Sequence, residues 1–137
     1  MGRLRRLAGL TGGERWLLLR ALFTVAVAAA ALRVLPLEMA RRVVARASGG
    51  TRGMPVEQIA WAVKAWGRYV PRATCLTQAL ALQALLAASG YGSRVEIGVA
   101  KDAGQRFEAH AWVVYGDRVL IGGPDVGRYA PLMSWKS

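Results

Sequence analysis

The chain has one cysteine and one histidine, and both stand where chemistry could be done. Cys75 follows Thr74 in PRATCLTQALALQALLAASGYG, which reads as a proline-bearing turn leading into a helix. A helix start carries unpaired N–H groups and the positive end of the macrodipole, and both favour the nucleophilic thiolate. His110 lies in FEAHAWVVY, which reads as a strand. Taken singly, each residue is better explained by packing, as an inert buried thiol or a satisfied core imidazole. Together, 110 − 75 = 35 positions apart, they form a thiol–imidazole pair if the strand crosses the helix N-terminus. Such a pair is the activated nucleophile of acyl transfer.

A third group should accept from the other imidazole nitrogen and fix the ring. If Gly116 and Asp117 make a two-residue hairpin turn, Tyr115 pairs with Arg118 and Trp112 with Ile121. His110 then faces Gly123, with Asp125 its diagonal neighbour, about 7–8 Å away between Cα atoms. Asp117 is out of reach along the strand, and Asp102 and Glu96 are weaker options on the neighbouring strand or its turn. Asp125 is therefore the expected orienting acid.

These residues need a helix and a sheet to hold them. Thr11 or Gly13 could cap a helix from about Glu14 to Val34, bounded by Pro36, with a second helix over 37–47. Val43 and Val44 are expected on the inner side of that second helix. SGGTRG (48–53) is a loop, and Pro55 suits the first position of the next helix. There Ile59, Ala62, Val63 and Trp66 are spaced to share a face, and Trp61 and Trp66 read as core or groove-wall aromatics. The helix that carries Cys75, roughly Thr74 to Ser89, buries Leu76, Leu80, Leu82, Leu85 and Leu86, with Gly90 as its C′ residue. After Gly90 the period becomes that of strands: RVEIGVAKD, RFEAHAWVVY and RVLIGG make a three-stranded meander. Helices first and strands last give an α+β fold. By size this is a basic tail (1–13) and one domain (14–137), divided into a helical part (14–70) and a catalytic helix with its β-meander (71–137).

Composition bounds the function. A hydrophobic content of 54% with 20% charged residues excludes a disordered chain. One cysteine excludes an intrachain disulfide framework and a cysteine-rich zinc site, and it fits a reducing, cytoplasmic setting. The net charge is +11, from 19 basic and 8 acidic residues. Its arginines are scattered, mostly through the first third, with no zinc-finger, RNP1-like or basic-zipper pattern, so nucleic acid is not the expected partner. A basic face meeting a protein or a membrane fits better. In WLLLRALFTVAVAAAALRVLP, Arg20 and Arg33 fence an uncharged run of 12 residues, Ala21 to Leu32, whereas a spanning helix wants about 18–20. A signal peptide is the competing reading, with AAA as a cleavage site. However, Arg20 adjoins the run and the pattern continues past Arg33, so a buried core helix is expected.

PRATCLTQALALQALLAASGYGSRVEIGV and FEAHAWVVYGDRVLIGGPD resemble the transglutaminase-like cysteine peptidases of lasso-peptide biosynthesis, the C-terminal half of the B protein or its split form. The shared pattern is P-x-x-T-C-L-x-x-A-L, a helix ending L-L-x-x-x-G, a basic strand, then A-H-A-W-V. The arginine-spaced N-terminal helices are similar too, so the resemblance runs from about Glu14 onward. It implies helices packed on a papain-like core and a peptidase that removes the leader from a precursor peptide. It also implies a separate leader-binding recognition element as partner, a cyclase acting on the product, and no metal or other cofactor. By the motif Cys75 is the nucleophile and His110 the base. The family's acid falls about twelve residues after the histidine, where this chain has Gly122. That leaves Asp125, or a dyad oriented by water or backbone. Trp66, Trp112 and Gln78 are expected to frame the peptide groove. Two other readings share these residues: a non-catalytic basic binding module, and a transglutaminase-like amide-transfer enzyme.

Overall fold

The computed structural model describes residues 12–47, 55–67, 75–101, 104, 107–116, 118–121 and 130–136. Among them, four helices precede a four-stranded antiparallel sheet, which is the α+β order expected. The helices are α1 (Gly12–Val34), α2 (Leu37–Ala47), α3 (Val56–Gly67) and α4 (Cys75–Ala88). The strands are β1 (Arg94–Lys101), β2 (Phe107–Tyr115), β3 (Arg118–Ile121) and β4 (Ala130–Lys136), in the order β3-β2-β1-β4.

Local chemistry sets the helix ends. Leu35 N–H donates to the Ala31 carbonyl at 2.8 Å, and Pro36 then stops α1 while its own carbonyl accepts from Ala40 N–H. Pro55 lies just outside α3, and its carbonyl accepts from the N–H groups of Gln58 and Ile59. Helix α4 ends in a Schellman motif: Tyr91 N–H donates to Leu86 O and Gly90 N–H to Ala87 O, with Gly90 at φ 92°.

Helix α4 is the centre of the core. It packs against α1, α2, α3, β1 and β2, and Ala79 through Leu86 are all buried. That explains a sequence apolar all round, since a helix covered on every side has no solvent stripe. Leu17, Ala21, Val25 and Ala28 of α1 join Ala40 and Val44 of α2 and Ile59, Ala62 and Val63 of α3 around it. Val95, Ala111 and Val113 close the core from one face of the sheet.

Four expectations need correction. The sheet has a fourth strand, β4, paired with β1. Pro131 lies opposite Gly98 beside a bulge that leaves Leu132 unmatched, a place where a ladder can accommodate a residue without an N–H. Val43 and Trp61 are exposed, at 40% and 46%. Helix α1 is only half a core helix, because its opposite face carries exposed Trp16, Leu19, Phe23 and Val34. The β2–β3 register also departs: Tyr115 does pair with Arg118, yet Ile121 pairs with Val113 rather than Trp112. A bulge makes Leu120 the extra residue, so Leu120 and Ile121 are both buried where a regular strand would alternate.

Candidate active site

Cys75 is the first residue of α4. Its side chain is partly buried and packs against the hydrophobic core. As the first residue of the helix, it has a main-chain N–H with no acceptor inside α4. Helix α4 packs on β2, the strand that carries His110. Along β2 the imidazole alternates with Ala111 and Val113, which share the core with α4, so His110 projects from the face of the strand turned away from α4. The packing of α4 on β2 therefore does not by itself bring the imidazole to Cys75, as the sequence led us to expect.

On that face His110 is part of a built cluster. Its cross-strand partner is Gly98. The ring stacks beside Trp112, with centroids 6.3 Å apart and planes 29° from parallel. Trp112 lies opposite Glu96 in the ladder and donates its indole N–H to Glu96 Oε2 at 2.7 Å. Arg94 Nε donates to the other carboxylate oxygen at 2.8 Å. Trp112 is 4% exposed, so its ring is held among these groups and turned away from solvent. Glu96 is thus an acid on the face of His110, diagonal to it in register.

The other expected site residues are placed less directly. Trp66 packs against the core and donates its indole N–H to the Leu18 carbonyl at 2.7 Å, tying α3 to α1. Gln78, one turn after Cys75, lies against the end of α3, where a Cβ on Gly67 would collide with the Gln78 amide. Asp125, like Thr74, lies outside the described residues. Its selection assumed a Trp112–Ile121 pair, and the observed Val113–Ile121 pair removes that premise.

Sequence reasoning missed Gln83. Its side chain is buried on α4, accepts the Trp135 indole N–H at 2.8 Å and donates to the Ser93 and Trp135 carbonyls at 3.4 and 3.3 Å. The signal was available: a glutamine inside an otherwise apolar, fully covered helix must find partners in the fold.

Neither the curated proteins nor the solved structures gave a match to this sequence. The family described as "Transglutaminase-like superfamily" matches residues 16–134. A match over that much of the chain, on helices followed by an antiparallel sheet, makes this protein a member of the transglutaminase-like superfamily.

Proposed function

We propose that the chain is a cytoplasmic cysteine peptidase that removes the leader from a lasso precursor peptide, working beside a separate leader-binding recognition element. What supports this reading is the transglutaminase-like domain together with the chain's one cysteine, at the start of α4, and its one histidine, on β2. Because His110 projects from the face of β2 opposite α4, the pairing of sulfur and imidazole rests on the family resemblance and not on the packing of helix and strand. The leader-specific part rests on the resemblance of TCL…AL and AHAW to the lasso enzymes.

In this mechanism the Cys75 sulfur attacks the carbonyl at the leader–core junction. The Cys75 main-chain N–H is a donor for the oxyanion, as a free N–H at a helix start can be. His110, holding the thiol proton, passes it to the departing core amine as the C–N bond breaks. The imidazole then takes a proton from water, which attacks the thioester and releases the leader acid and the free thiol. Asp125 or Glu96 orients the ring, while Trp66, Trp112 and Gln78 frame the peptide. An extended precursor could dock by adding to a strand edge.

The test is mass spectrometry of candidate precursors incubated with the wild type, Cys75→Ala and His110→Ala, each with the recognition element. Cleavage by the wild type alone, with both variants folded by circular dichroism, is the expected result. Full cleavage by either variant removes the proposal. Amine incorporation in place of hydrolysis would assign amide transfer instead.

A further inference from the structure

The outward face of α1 has no role in the proposed chemistry. Trp16, Leu19, Phe23 and Val34 are 52%, 59%, 53% and 79% exposed, and Ala26 and Ala30 are exposed between Phe23 and Val34. The steps from 16 to 19, 23, 26, 30 and 34 are three or four residues each, so these side chains form one stripe along the helix. Its bulk lies in the first two turns, at Trp16, Leu19 and Phe23, and the alanines carry the apolar surface on without interruption. At about 1.5 Å per residue the stripe is roughly 27 Å long. The opposite face, with Leu17, Ala21, Val25 and Ala28, is fully buried in the core. An exposed apolar strip of this length marks a surface that meets something.

The charges around it say what. No acidic residue occurs from Arg15 to Leu37, while Arg15, Arg20 and Arg33 stand along the stripe's edges. The Arg20 guanidinium lies 4.8 Å from the centre of the Trp16 ring, holding a cation beside the apolar strip. Tryptophan and phenylalanine bordered by arginine suit the headgroup boundary, where rings enter the acyl layer and guanidinium groups meet phosphate. A second copy would bring the same arginine rim, and another net charge of +11, against the first. We infer that α1 docks this protein on the surface of an anionic bilayer, lying in the interface with Trp16, Leu19 and Phe23 immersed. The inference does not depend on the peptidase reading.

Vesicle flotation of the full chain tests it, using phosphatidylcholine vesicles with and without an equal part of phosphatidylglycerol. Expected is co-flotation with the mixed vesicles, at least tenfold weaker on phosphatidylcholine alone. The Leu19→Gln/Phe23→Gln double variant should lose at least tenfold while keeping the wild-type circular dichroism. Absence of wild-type binding to the mixed vesicles overturns the proposal, as does equal binding by the double variant. A dimer in light scattering that the double variant dissociates would assign the stripe to a second copy, and that too overturns it.

Discussion

Replacing Gln83 by leucine removes the polar centre of the contact between α4 and β4 while nearly preserving side-chain volume. The strongest bond lost is the Trp135 indole N–H to Gln83 Oε1, 2.8 Å, between residues 9% and 7% exposed. Leaving such a buried donor without an acceptor costs about 1–3 kcal/mol. The amide bonds to the Ser93 and Trp135 carbonyls are long, at 3.4 and 3.3 Å, and contribute less. Together the loss is about 2–4 kcal/mol. With a urea slope of about 2 kcal/mol per M, the midpoint falls by about 1–2 M. Tryptophan fluorescence reports the transition directly, since Trp135 sits in the perturbed contact. Gln83→Glu is the companion variant: it keeps an acceptor for the indole but turns a carboxylate toward two carbonyls, so it too should be destabilised at neutral pH. A midpoint for Gln83→Leu within about 0.3 M of wild type, against the roughly 2 kcal/mol per M slope, would refute the role assigned to this glutamine.

Two further perturbations follow from the structure. Glu57, at the start of α3, pairs with Arg118 of β3, and its carboxyl is held below the usual range by its own backbone N–H and then by the guanidinium. A depressed folded value means the contribution is present above the unfolded carboxylate range and is lost as pH falls through the folded one. Urea midpoints of wild type and Glu57→Gln should therefore differ slightly at pH 7 and converge as pH falls through the lowered range of the folded carboxyl. For the orienting acid, Asp125→Asn and Glu96→Gln separate the two candidates: the variant that slows leader cleavage at unchanged fold identifies the group. Equal, wild-type rates in both would leave a dyad without a carboxylate.

Much of the fold was legible because local signals and packing agreed. Helix α2 has the boundaries expected, 37–47, since Pro36 begins it and a loop composition follows. The Gly90 cap and the Tyr115–Arg118 hairpin closure were fixed by residues that favour one backbone conformation. What was not legible depended on tertiary context. Strand β4 carries Pro131 and a bulge, which hide its period. The outward stripe of α1 is as free of charge as its inward face, so periodicity alone could not say which side meets the core. Most consequentially for the candidate site, the expected orienting acid was derived by counting along β3, and the bulge at Leu120 shifts that count. Cys75 and His110 needed no such count, because their residue types and uniqueness singled them out.

The most direct measurement of the central claim is the rate at which iodoacetamide alkylates Cys75 near pH 6, followed by intact mass in wild type and His110→Ala. If the imidazole holds the thiol's proton, wild type reacts readily and the variant at least tenfold more slowly, with the fold unchanged. Equal rates in the two proteins would mean that sulfur and imidazole do not act on each other, and the account of a cysteine peptidase would fail.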